Sequence, residues 1–108
     1  MPQATLSPAT IVARNSGFME AEVDQEIVAL DVEKGVYYGL NPVGSRIWRL
    51  LINPIRIADI CTVLVTEYQV EPETCEREVL NLLEDLRAEG MISTQGDAGS
   101  ELTAKGRN

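Results

Sequence analysis

Six carboxylates, two thiols and one aromatic strand are the groups in this chain whose types and spacing bear on chemistry. The carboxylates Glu73, Glu76, Glu78, Glu84, Asp85 and Glu89 fall within one stretch that also reads as a helix. Paired carboxylates can divide general acid and base work, but that needs a nucleophile, a metal or a second catalytic group beside them. The chain has no histidine, and neither Cys61 nor Cys75 has another cysteine at metal-ligand spacing. A zinc site and a self-contained Cys-His protease are therefore excluded in practice. Each cysteine falls in phase with the apolar stripe of an expected helix, which favours reduced core thiols over a disulfide. No catalytic residue, metal or cofactor is expected, and the helix carboxylates otherwise read as a solvated face.

What is left is the chemistry of the backbone. Val36, Tyr37, Tyr38, Gly39 and Leu40 make a short strand rich in good strand formers, with Gly39 allowing close backbone approach. It passes without a true loop into Asn41-Pro42, a strong helix start: the Asn side chain accepts from orphan amides and Pro suits the first helical position. Beyond it Val43, Ile47, Leu50 and Leu51 share one helical face. An open edge on such a strand pairs with an extended peptide main chain to main chain, while side-chain pockets beside it choose the partner. The plainer alternative is a half-buried strand whose edge is covered by the N-terminal arm or by a neighbouring copy.

The elements that must position this strand follow from periodicity. Residues 1–15 are expected as a flexible arm in which Thr10-Ile11-Val12 is at most an edge strand. Residues 18–23 alternate, with Phe18, Glu20 and Glu22 against Met19, Ala21 and Val23, and a turn at Asp24-Gln25 joins them to a strand over 26–32. Glu33-Lys34-Gly35 is the next turn, so residues 36–40 end a three-stranded antiparallel meander. Three helices follow, over 42–52, 57–68 and from Pro72 to a cap at Gly90. A short strand is expected over 91–94 and a disordered tail over 95–108, leaving one domain at 16–94. The fold class is α+β, in a winged helix-turn-helix-like arrangement. Trp48, one step off its helical stripe, is expected as a half-buried brace between helix and sheet, and Tyr68 as a core anchor with its hydroxyl at the surface. Gly44 in a helical first turn costs about 1 kcal/mol relative to Ala, which points to a close packing contact.

Composition narrows the partners. At 108 residues and 11.9 kDa there is room for one core and little else. No apolar run approaches membrane-spanning length, and residues 1–8 lack the pattern of a signal peptide, so a cytoplasmic protein is expected. A formal charge of −8 repels a phosphate backbone on average.

Residues 17–92 resemble the PqqD-like family, also called RiPP recognition elements, and within it the stand-alone leader-binding subunits of lasso-peptide biosynthesis. The resemblance rests on Tyr37-Tyr38-Gly39-Leu40-Asn41-Pro42-Val43-Gly44, Ile47-Trp48, Leu50-Leu51, Glu67-Tyr68 and the Gly90-Met91-Ile92 ending, in that order and spacing. Two positions depart from the family pattern: Arg56 stands where a Thr or Ser cap is usual, and Glu71 where Asp is commoner. The resemblance implies a non-catalytic protein that grips the leader of a ribosomally made precursor, in lasso systems through a Tyr-x-x-Pro element. Such a protein presents the leader to a separate transglutaminase-like cysteine protease and then to a macrolactam-forming cyclase. It also implies a peptide site of Val36, Tyr37, Tyr38, Gly39 and Leu40 with one flank of the third helix. The flank carrying Glu78, Leu82 and Asp85 is preferred, because Glu78 matches an acidic position of the family. The opposite flank carries Glu76, Leu80, Leu83 and Arg87. Two rival readings are a subunit-assembly adaptor with no peptide ligand and a DNA-binding winged helix-turn-helix regulator. The second conflicts with the acidic third helix, which sets six carboxylates against Arg77 and Arg87.

Overall fold

A computed structural model describes residues 5–95. In chain order the elements are β1 (Ile11–Arg14), β2 (Phe18–Val23), β3 (Glu26–Asp31), β4 (Val36–Gly39), α1 (Pro42–Leu50), β5 (Ile55–Arg56), α2 (Ile57–Tyr68), α3 (Pro72–Ala88) and β6 (Ile92–Thr94). They form the expected α+β, winged helix-turn-helix-like domain, with β2, β3 and β4 as an antiparallel meander and a second three-stranded sheet in the order β5, β1, β6.

The meander is built by two turns with different chemistry. Asp24 and Gln25 both hold positive φ, the requirement of a two-residue hairpin turn whose twist matches its strands. Between β3 and β4 the buried Asp31 carboxylate accepts from the amides of Glu33 and Lys34, each at 3.1 Å, and Gly35 takes φ 69°. The register pairs Ala29 with both Glu20 and Tyr38, so these three side chains share the sheet face turned toward the helices.

The junction of β4 and α1 is locked by three polar contacts. Asn41 Oδ1 accepts from the Gly44 amide at 2.8 Å, Ser45 Oγ accepts from the Ile27 amide at 2.7 Å, and Ser45 Oγ donates to the Leu40 carbonyl at 3.1 Å. Ser45 is wholly buried, and sequence reasoning overlooked it because a helical serine reads as solvent-facing. The close contact expected at Gly44 is present: a Cβ there would lie 3.2 Å from Asn41 Oδ1. A Cβ at Gly39 would meet nothing within 4 Å, so the chain itself makes no close approach there.

The N-terminal segment differs most from expectation. Residues 11–14 are not in a loose arm but form the central strand of the second sheet, paired with β5 on one side and β6 on the other, with Val12 wholly buried. Leu6 and Thr10 are also buried. The same segment explains how α2 begins without the family's Thr or Ser cap. Arg56 makes no side-chain cap, and the Ile57 and Ala58 amides donate instead to the Thr10 and Pro8 carbonyls at 3.0 and 2.9 Å. Residues 1–4 of the expected arm and 96–108 of the expected tail lie outside the described residues. Gln95 donates to the Ile11 carbonyl at 2.8 Å.

Ile57, Ile60 and Leu64 of α2 and Cys75, Val79, Leu83 and Leu86 of α3 fill the core with Ile47, Trp48 and Leu51. Gly90, at φ 75°, ends α3 in the left-handed conformation that glycine adopts freely. Trp48 is a brace, as expected, but fully buried, since Phe18 packs edge-on at 5.9 Å and the Arg14 guanidinium covers the ring at 4.7 Å. Its indole NH donates to Glu20 Oε1 at 2.7 Å.

Candidate functional site

Among the described residues β4 has a strand neighbour on one side only. The Leu40 amide donates to the Ile27 carbonyl at 2.9 Å, which makes these two a hydrogen-bonded pair. Alternation along an antiparallel ladder then turns the backbone groups of Tyr38 and Val36 toward β3 and leaves those of Tyr37 and Gly39 on the open edge. Side chains alternate likewise: Tyr38 leans inward, whereas Tyr37 stands on the outer face, 70% exposed.

Helix α3 overlooks this edge, and two contacts fix its direction. The Tyr38 hydroxyl donates to Glu89 Oε1 at 3.2 Å, near the helix C-terminus. At the other end, beside Asn41, a cavity of about 300 Å³ opens between the three helices, lined by Val43 and Ile47 of α1, Leu64 and Tyr68 of α2, and Glu78, Val79 and Leu82 of α3. Thus α3 runs antiparallel to β4, with a mainly apolar pocket where the strand ends and a carboxylate where it begins.

The predicted site residues fall around this groove. Glu78 and Leu82 line the pocket, Asp85 continues their helical stripe toward Glu89, and Tyr38 contacts Glu89 directly. Leu40 is buried at the strand's end, while Val36 and Gly39 are exposed. On the opposite flank Leu83 is buried and the Arg87 guanidinium pairs with Glu84 at 3.0 Å, so those side chains serve the fold. Tyr68 departs from expectation: it is not a core anchor but 41% exposed on the pocket wall, because α2 ends where the three helices diverge. Asn41, Val43, Val70, Tyr68 and Thr74 are lining residues that sequence reasoning missed as a site. The abrupt end of the α2 stripe at Gln69 was the available signal.

The titrating groups are suited to recognition. Burial pushes the Cys61 thiol up to about 11 and raises that of Cys75 as well, so both are protonated and poorly nucleophilic near neutrality. Both cysteines are free. Partial desolvation and the bond to Glu89 raise the Tyr38 phenol, keeping it a hydrogen-bond donor. No group of three histidine, cysteine or acidic residues among the described residues is arranged to hold a metal. No described helix is long and apolar enough to cross a membrane. Helix α3 exposes Glu73, Glu78, Asp85 and Glu89 but only Arg77 of opposite sign, a surface that repels a phosphate backbone.

A winged helix-turn-helix-like α+β domain with an unpaired strand edge beside an apolar pocket is the class of protein that these features define. The family model for coenzyme PQQ synthesis protein D (PqqD) matches residues 26–92, more than half of the chain, and the chain belongs to this family. Two solved structures are similar over most of their length. One, TbiB1 in complex with the TbiA(beta) leader peptide, is 33% identical with a TM-score of 0.70, covering 75% of this chain and 94% of that one. The other, a lasso peptide synthetase B1 complexed with the leader peptide, is 29% identical with a TM-score of 0.68, covering 76% and 96%. No curated protein matches.

Proposed function

We propose that this protein recognises the leader segment of a lasso-type precursor peptide, adding it as a strand antiparallel to β4 and seating its side chains between β4 and α3. The observation that carries this reading is the open edge of Tyr37 and Gly39 on a strand that ends beside a helix-walled pocket at Asn41, an arrangement that can satisfy a peptide's backbone and sort its side chains. Support comes from the two similar structures, both complexes with leader peptides. The chain performs no chemistry of its own in this reading. It holds the leader at raised effective concentration for a separate transglutaminase-like cysteine protease, and then for a macrolactam-forming cyclase. Cytoplasmic residence accords with this role.

The test is amide hydrogen exchange during titration with a synthetic leader containing Tyr-x-x-Pro. Slowed exchange at Tyr37 and Gly39, with little change in β2, is the expected result. Protection confined to β2, or absent from the sheet, overturns the site. Peptidase activity of the purified chain that disappears on replacing Cys61 or Cys75 overturns the non-catalytic role.

A further inference from the structure

The acidic residues overlooking the groove have a register. Glu78, Leu82, Asp85 and Glu89 recur at spacings of four, three and four, which is one stripe of a helix. That stripe is anchored to the groove at both ends, by the pocket contacts of Glu78 and Leu82 and by the bond from Tyr38 to Glu89. A peptide antiparallel to β4 runs parallel to α3, because α3 is itself antiparallel to β4. It therefore passes Leu82 before Asp85 and Glu89. Along the helix axis Asp85 lies about 4.5 Å and Glu89 about 10.5 Å beyond Leu82. An extended peptide advances about 6.6 Å in two residues, and side chains two apart face the same side. The next side chain to face α3 after one seated at Leu82 thus falls between the two carboxylates. Neither Asp85 nor Glu89 has an ion-pair partner among the described residues; Arg87, two positions from each and therefore on another face of the helix, pairs with Glu84. Lys34 lines a second hollow together with Glu33 and Glu89 but makes no ion pair with Glu89.

We infer that the groove selects peptides in which an apolar residue is followed two positions later by Lys or Arg, the cation being held between Asp85 and Glu89. This rests on the peptide-binding reading above and adds its charge specificity. The net charge of −8 draws such a peptide in at long range, and the two carboxylates fix its register.

Selection of random twelve-residue peptides displayed on phage tests this without knowledge of the natural leader. The full chain is compared with the double variant Asp85→Lys, Glu89→Lys, whose fold is checked by thermal melting; both positions are exposed. The expected result is Lys or Arg enriched two positions after an apolar anchor for the wild type, and Asp or Glu there for the variant. In a selected synthetic peptide, exchanging that Lys for Glu weakens binding to the wild type about fivefold, an effect that shrinks with added salt. Anchored peptides with no charge preference, or with the same preference in both proteins, overturn the inference while leaving peptide binding intact. Failure to enrich any peptide that protects the Tyr37 and Gly39 amides overturns the underlying reading as well.

Discussion

Two acidic regions of this molecule use the same side-chain chemistry in opposite ways. On β2, Glu20 accepts from Arg14 at 2.6 Å and from the Trp48 indole at 2.7 Å, and Glu22 meets Arg49 at 2.7 Å. Those carboxylates join β1, β2 and α1, and the hydrogen bond from Trp48, with the charges of Arg14 and Arg49, holds the Glu20 carboxyl below its usual value. On α3, Asp85 and Glu89 make no ion pair among the described residues. A carboxylate surrounded by the chain's own donors stabilises the fold; one facing an open groove is available to a partner. Charge count alone does not separate the two uses.

The comparison breaks most visibly at Trp48. Trp48→Ala removes a fully buried ring and the cover over Arg14, and is expected to cost about 3 to 5 kcal/mol in a urea titration. Leader affinity in the folded fraction is expected to persist. A loss of affinity with unchanged stability would place the β2 cluster in the binding site.

Proline replacement on β4 sharpens the other side. Tyr37→Pro deletes a donor on the open edge and is expected to weaken leader binding at least thirtyfold, about 2 kcal/mol, in calorimetry, with the domain still folded. Tyr38→Pro deletes a donor facing β3 and is expected to unfold the meander instead. Equal behaviour of the two variants would refute the assigned alternation.

Smaller effects distinguish the flanks of α3. Leu82→Ala is expected to weaken leader binding by about 1 to 2 kcal/mol, whereas Leu80→Ala alters stability and leaves affinity near wild type. The reverse outcome moves the groove to the other flank.

The smallest effect is acid sensitivity. Because the folded Glu20 carboxyl titrates below its ordinary 4.5, its stabilising contribution is full above that value and is lost as pH falls through the lower, folded one. Solvent screening at a side chain 40% exposed keeps the effect under about 1 kcal/mol. The stability gap between wild type and Glu20→Gln should therefore narrow as denaturation is measured from about pH 6 down to about pH 3. A gap that widens toward acid contradicts the internal role of Glu20.

Much of this architecture was legible in local signals. The junction from Tyr38 through Asn41 and Pro42 into α1, the turn at Asp24-Gln25, the cap at Gly90 and the stripes of α2 and α3 all appear where caps, turns and 3.6-residue periodicity place them. Each depends on residues within a few positions of one another, so the amino-acid order is sufficient. The grouping of Glu78, Leu82 and Asp85 on one stripe is of the same kind. The alternation of β2 was also visible, but not which face turns inward. Met19 and Val23 stand 62% and 60% exposed, and the acidic face meets α1, because Arg14, Trp48 and Arg49 supply its partners from elsewhere in the chain.

The helical stripes, the turns and the Asn41 cap were thus determined by the sequence, through hydrogen bonds and side-chain contacts that close within one or two turns, whereas the Ser45 bridge to Ile27 and the start of α2 on the Thr10 and Pro8 carbonyls were not. The tertiary structure decided that four residues near the N-terminus form a central strand, since Arg14 pairs with Ile92 and Val12 with both Ile55 and Thr94. It decided that Tyr68 walls a pocket and that the backbone groups of Tyr37, not Tyr38, lie on the open edge of the meander. Sheet neighbours and open edges depend on contacts between distant parts of the chain, whose loop-closure cost and geometry leave no periodic trace in a four-residue strand.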